Sequence, residues 1–139
     1  MKKFLQKKLK DQKGMTLIEL LAVIVIIAII AAIAIPAIGN IIENSRYGAA
    51  KADFQNAIAA ANLYVAEEGA VPTEAQLTAD YFADKGSIKT LTFAKVGTTN
   101  VLTVAGKFEI SGVEKTLAAK TNAELSELSA ADFKALVNP

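Results

Sequence analysis

The longest feature of the hydrophobic pattern is an unbroken apolar run near the N-terminus. Every residue from Leu20 to Ile35 is Leu, Ala, Val or Ile. A membrane-spanning helix needs about 20 predominantly apolar residues, so we predict such a helix here. Glu19 lies in its first turn, and a carboxylate in a membrane helix costs on the order of 2.5–3.5 kcal/mol, so it needs a partner or a function.

The helical pattern resumes beyond Pro36, a residue that removes one backbone hydrogen bond and crowds the preceding turn. Apolar side chains then repeat along one helix face at Phe54, Ile58, Ala61 and Val65. Gly69 and Pro72 are stop signals. We predict one long helix from about Met15 to Glu68, about 80 Å long at 1.5 Å per residue. Its outer half would use this face to hold a small domain.

The rest of the chain shows shorter elements. Thr73 and Gln76 form a capping-box pattern that predicts a short helix. From Ser87 the period becomes that of strands, in the runs Ile88–Phe93, Val101–Val104, Phe108–Ile110 and Val113–Leu117. Gly97–Asn100, Ala105–Gly106 and Ser111–Gly112 separate these runs, which predicts an antiparallel meander of three or four strands. Its apolar face would pack on the long helix.

The C-terminal segment has a helical pattern. Thr121 with Glu124, and Ser129 with Asp132, are two further capping-box pairs. We predict a packed terminal helix. The fold class is therefore α+β, in which a long N-terminal helix with a membrane-spanning first half carries a small antiparallel sheet on its second half.

Charge is distributed unevenly along the chain. Residues 1–14 hold six lysines and one aspartate, a net charge of +5, whereas the remainder has a net charge of −4. A basic flank before a hydrophobic helix keeps that end of the chain in the cytoplasm. The acidic remainder would then lie outside, and it offers no basic face for nucleic acid.

The composition excludes several kinds of catalytic site. The chain has no His and no Cys, so Ser-His-Asp and Cys-His triads and the usual zinc sites are excluded. The acidic pairs Glu67–Glu68 and Asp80 with Asp84 form no compact loop of the kind that Ca²⁺ needs. We predict solvated charge there, no metal, no cofactor, no catalytic residue and no enzymatic activity.

The residues Gly14-Met15-Thr16-Leu17-Ile18-Glu19, followed by the apolar run, resemble the processing site of type IV prepilins and pseudopilins. The resemblance implies that a membrane-embedded prepilin peptidase cuts after Gly14 and methylates the new amino terminus at Met15. It also implies that Glu19 pairs with the amino terminus of a neighbouring subunit during assembly. Many family members have Phe after the cut, where this chain has Met15. Pro36 lies where many relatives have a proline. The resemblance implies that it makes the helix extensible in the fibre, and the alternative is that it only kinks the helix.

On this basis four segments are expected: a leader (1–14), the transmembrane and assembly half of the helix (15–36), its distal half (37–69) and a globular head (70–139). The expected function is that of a type IV pilus subunit, which assembles with copies of itself into a helical homopolymer. Its other partners would be the membrane before assembly, the prepilin peptidase and the pilus assembly platform proteins. The precursor would cross the inner membrane once, and the assembled fibre would lie on the cell surface.

Three alternatives remain open at this stage. Within the family, the chain can be a major pseudopilin of a type II secretion or DNA-uptake system, because both kinds of fibre use the same helix. An ordinary secretory signal would use residues 1–14 as its basic region and Ala32-Ile33-Ala34 as its cleavage site. A single-pass or secreted binding module would carry its glycine before the apolar run by coincidence.

Overall fold

The computed structural model describes the backbone of residues 2–138 and the side chains of residues 16–138. The chain divides into two compact units, Met1–Ile41 and Ile42–Pro139, and we call the second the head unit. Four helices and three strands follow one another in the order α1 (Lys2–Glu68), α2 (Glu74–Asp80), β1 (Ile88–Lys95), β2 (Leu102–Ile110), β3 (Val113–Thr121), α3 (Asn122–Glu127) and α4 (Ala130–Val137). The predicted α+β class is confirmed.

Helix α1 is longer at its N-terminal end than predicted. It begins at Lys2 instead of about Met15, and it continues through Pro36 without a break in its helical assignment. Lysine, leucine and glutamine are good helix formers, which accounts for the early start. The predicted end is confirmed: α1 stops at Glu68, and the N–H of Gly69 donates to the carbonyl of Val65 at 2.9 Å. Gly69 has φ +75°, a left-handed conformation that suits glycine.

The predicted antiparallel meander is confirmed with three strands in the order β1-β2-β3. The prediction that Ala105–Gly106 separates two strands is wrong, because both residues lie inside β2. Gly106 pairs with Leu91, and a Cβ atom on it would lie 2.0 Å from the carbonyl oxygen of Thr90. Glycine is therefore needed here for a close approach between strands, not for a turn.

The predicted apolar face of α1 forms one side of the core of the head unit. Phe54, Ile58 and Ala61 are at most 1% exposed, and Val65 is half-buried at the edge. The ring of Phe54 meets that of Phe108 on β2 edge to face, with centroids 5.5 Å apart. The sheet therefore covers this stripe of the helix as expected from its 3.6-residue period.

The C-terminal segment forms two short helices where one was predicted. Thr121 and Ser129 are the N-caps of α3 and α4, and both predicted capping boxes are present. Leu128 separates the helices with extended dihedral angles, φ −75° and ψ 132°. Its free carbonyl accepts a hydrogen bond from Nζ of Lys51 on α1 at 2.8 Å. The second cap and this contact together explain the break.

The C-terminal helices also contact α1 directly. Nζ of Lys134 lies 2.9 Å from a carboxylate oxygen of Glu43, and the amide of Asn138 donates to the hydroxyl of Tyr47 at 2.8 Å. Phe133, which lies between Leu128 and Lys134 in the sequence, is fully buried. The C-terminal helices and then the sheet thus contact successive parts of α1 within the head unit, and Tyr81, the C-cap of α2, meets Tyr64 of α1 edge to face.

Candidate functional site

The predicted assembly segment is exposed along its length. From Thr16 to Ile41, only Ala31 and Ala34 are even partly covered, and Leu17, Ile18 and Ile33 are 68%, 69% and 71% exposed. The part of α1 from Thr16 to Glu68 is long and apolar enough to cross a membrane, and none of its most apolar stretch is buried. Water is a poor solvent for such a surface, because removal of each CH₂ group from water is favourable by about 0.8 kcal/mol of free energy. This surface therefore needs lipid or protein around it.

Glu19 is the single acidic residue on this exposed segment. Its side chain is exposed, and among residues 16–138 it has no ion-pair partner. A carboxylate that enters an apolar environment needs a compensating charge. The position of Glu19 is thus compatible with a partner supplied from outside the described residues.

The two residues of the predicted processing site, Gly14 and Met15, lie outside the residues whose side chains the structure describes. Their relation to Glu19 therefore stays a prediction. Pro36 lies within α1, where it lacks the N–H that would donate to the carbonyl of Ala32. The helix continues on both sides of Pro36. The predicted weak point is therefore one missing backbone hydrogen bond within an unbroken helix.

The acidic pairs of the head unit are dispersed among different contacts. Glu67 accepts a hydrogen bond from the hydroxyl of Tyr81, and Asp84 accepts one from the N–H of Gly86 at 2.9 Å. Within residues 16–138, no three His, Cys, Asp or Glu side chains converge as a metal site would require. In the same part of the chain, no buried side chain is polar or charged.

One polar contact of the head unit was not anticipated from the sequence. A carboxylate oxygen of Asp53, on α1, accepts hydrogen bonds from the backbone N–H and the hydroxyl of Ser87 at 3.0 and 2.9 Å. Ser87 immediately precedes β1, so this contact sets where the sheet begins relative to α1. The two residues are 34 positions apart, and no local pattern links them.

Comparison with known protein families gives one match, and it covers the segment described above. Residues 9–35 match the prokaryotic N-terminal methylation motif. Comparisons with curated proteins and with solved structures give no match. The matched residues include Gly14, Met15 and Glu19 and end at the last residue of the apolar run.

The motif and the exposed helix agree with each other. The motif implies processing by a prepilin peptidase and assembly into a pilus-type polymer. The apolar helix that follows it fits a membrane-anchored precursor. The match at residues 9–35 therefore shows that this segment is similar to the N-terminal motif of type IV pilin-like and pseudopilin subunits.

Proposed function

We propose that this chain is a structural subunit of a type IV pilus. It is made as a membrane prepilin, cleaved after Gly14, N-methylated at Met15 and assembled into a helical fibre through its apolar N-terminal helix. The observation that carries the proposal is the coincidence of the methylation motif at residues 9–35 with a helix whose apolar side chains are exposed. An exposed apolar helix is what a subunit needs if it exchanges lipid for neighbouring helices.

The charges around the processing site give cleavage a physical role. Residues 1–14 carry a net charge of +5, which opposes their entry into an apolar fibre core. Removal of these residues eliminates that charge and creates an α-amine close to Glu19. In the fibre, the amine of Met15 from an adjacent or the same subunit compensates the carboxylate of Glu19.

The partners follow from this life cycle. The membrane holds the precursor, the prepilin peptidase processes it, the pilus assembly platform proteins extract it, and further copies of the chain receive it. The mature subunit then forms part of an extracellular pilus on the cell surface. A major pseudopilin of a type II secretion or DNA-uptake system remains the second candidate, because the same motif and helix support it equally.

Intact mass and N-terminal sequencing of the protein from its native host test the proposal. A chain that begins at methylated Met15 is the expected result. A chain that begins near Ile35 would indicate an ordinary secretory signal, and the assembly role of Glu19 would be withdrawn. Electron microscopy of the same cells separates the two candidates, since long surface filaments built of this chain are expected only for a pilus.

A further inference from the structure

The head unit carries an aromatic groove between the last turns of α1 and helix α2. Its walls are Tyr64, Tyr81, Ala75, Ala79 and the polar residue Gln76, and its volume is about 510 Å³. The two tyrosine rings meet edge to face, with centroids 5.4 Å apart and an interplanar angle of 75°. Both tyrosines also pack against the hydrophobic core, which fixes the shape of the groove. We call this surface the tyrosine groove.

The rim of the tyrosine groove is acidic. Glu68 and Asp80 line it, and neither has an ion-pair partner among residues 16–138. The hydroxyl of Tyr81 donates to Glu67, and this hydrogen bond, with burial and the charges of Glu67, Glu68 and Asp80, raises the pKa of Tyr81 to about 12. The phenol of Tyr81 therefore stays neutral to a higher pH than an ordinary tyrosine, and the carboxyl groups of Glu68 and Asp80 make the rim acidic. Such a groove suits an apolar group that carries a positive charge beside it.

The β1–β2 hairpin of the same chain presents a surface of that kind. The N–H of Val96 donates to the carbonyl of Val101 at 2.9 Å and closes the hairpin. The side chains of these two valines are nevertheless 44% and 48% exposed. Lys95 immediately precedes Val96 and has no ion-pair partner among residues 16–138, whereas Lys107 on β2 is paired with Glu114. We call Lys95, Val96 and Val101 the hairpin tip.

We propose that the hairpin tip of one copy of this chain docks into the tyrosine groove of a second copy. Val96 and Val101 would contact the rings of Tyr64 and Tyr81, while the ammonium group of Lys95 would lie beside the carboxylates of the rim. The two surfaces are complementary in charge and polarity. The tyrosine groove has aromatic rings and an acidic rim, and the hairpin tip has exposed valine side chains and a lysine. The inference rests on the proposed function, which requires neighbouring copies.

Two different surfaces meet in this contact, so it is heterologous. A heterologous contact repeats from copy to copy and generates an open series if its rotation does not close a ring. The contact is small and would be weak for isolated heads. In a fibre the N-terminal helices already hold the copies together, so a weak second contact acts at a high effective concentration. It would link the heads of copies whose helices pack together.

Disulfide trapping tests the contact directly, because the natural chain has no cysteine. The full-length chain with Glu68→Cys and Val96→Cys together is expressed in cells that assemble the wild-type chain, and its filaments are oxidised. The expected result is a ladder of covalent oligomers. Each single variant should give no ladder. A matched control replaces Glu68→Cys with Ser126→Cys, which is exposed on α3, and should also give none.

The outcomes separate the inference from the function on which it rests. Filaments that form without a ladder would overturn the inference and leave the proposed function intact. A product that stops at dimers would overturn the open, head-to-tail arrangement. If the wild-type chain forms no filaments, the proposed function fails first, and that result is visible before any cysteine is introduced.

A charge reversal provides a second test that does not depend on disulfide geometry. Lys95→Glu on the two-cysteine chain should lower the yield of the ladder by about 2- to 5-fold, as expected for an exposed ion pair. Adding Asp80→Lys should restore the yield, because the charges are then exchanged. A ladder that is unaffected by the first change, or that the second change does not restore, would contradict the role of Lys95.

Discussion

The carboxylate of Glu74 joins helix α2 to strand β1, because its Oε2 accepts a hydrogen bond from the backbone N–H of Leu91 at 3.0 Å. Its other oxygen accepts one from Nζ of Lys85 at 2.9 Å. The hydrogen bond from Leu91, followed by that from Lys85, holds the pKa of Glu74 below its ordinary value of 4.5. A donor at the edge of the sheet is thereby satisfied by the first residue of the neighbouring helix.

The first prediction is that Glu74→Gln destabilises the head unit at pH 7 by about 1–2 kcal/mol, because a charge-assisted hydrogen bond is weakened. The folded state has the lower pKa, so this stability is present above pH 4.5 and is lost as the pH falls through the folded-state pKa. Urea unfolding of the full chain in detergent micelles measures it. Near-ultraviolet circular dichroism reports the three tyrosines, all of which lie in the head unit.

The control for this prediction is Glu127→Gln, an exposed residue of α3 with no hydrogen bond among residues 16–138. The urea midpoint of Glu127→Gln should match that of the wild type at pH 7 and at pH 3. A loss of stability in Glu74→Gln that is the same at pH 7 and pH 3 would show that the hydrogen bonds of the carboxylate do not cause it.

The second prediction concerns Gly106. Gly106→Ala should destabilise the head unit by about 3 kcal/mol or more, because the new Cβ would lie 2.0 Å from the carbonyl oxygen of Thr90 and 3.3 Å from the ring of Phe54. Gly48→Ala is the matched control, since its Cβ would lie 3.6 Å from that of Ala130, an ordinary contact. The control should equal or exceed wild-type stability, by up to about 1 kcal/mol. Thermal unfolding of both variants tests this contrast, and equal midpoints would contradict it.

The third prediction concerns the caps of the C-terminal helices. The hydroxyl of Thr121 accepts from the N–H of Glu124 at 3.2 Å, and that of Ser129 accepts from the N–H of Asp132 at 3.1 Å. Thr121→Ala and Ser129→Ala should each cost about 1 kcal/mol of the free energy of unfolding. Thr98→Ala, in the exposed turn after β1, should change it by less than about 0.5 kcal/mol. Urea titration distinguishes these values, and indistinguishable midpoints would rule out a capping contribution.

The fourth prediction concerns Glu19 and rests on the proposed function. Glu19→Gln should leave processing intact, with a mature chain that begins at Met15, but should lower the yield of filaments at least about tenfold. Removal of one partner of a buried charge pair leaves the other charge unpaired, at a cost of about 3–5 kcal/mol. Shearing of cells followed by quantification of the released filaments measures the effect, with Glu127→Gln as the control. Wild-type yields for Glu19→Gln would contradict the pairing.

Local patterns predicted most of the fold. The face that begins at Phe54 follows the helical period, and each capping box is a pattern four residues long, so neighbouring residues carry the signal. Gly106 was misassigned, because a glycine that ends a strand and a glycine that lets two strands approach are identical in a single sequence. The difference depends on Thr90, 16 positions away, which only the fold brings close.

The candidate sites also differ in whether a local sequence pattern can predict them. The processing motif, with Gly14, Met15 and Glu19, is contiguous and could be identified without a structure. The tyrosine groove combines residues of α1 with residues of α2, and Tyr64 alone gave no indication of it. The exposure of Val96 and Val101 also depends on the closed hairpin, because the strand pattern predicts only that valines belong to a sheet.

The contacts of Lys134 with Glu43 and of Asn138 with Tyr47 each join residues 91 positions apart in the chain. During translation, the ribosome produces Glu43 and Tyr47 long before their partners. The first part of α1 in the head unit therefore stays without its cover from the later helices until Lys134 and Asn138 have been synthesised. Contacts of such long sequence separation also slow folding. The head unit should thus complete its core only after Lys134 and Asn138 have left the ribosome, at a time when the apolar helix upstream is already available to the membrane.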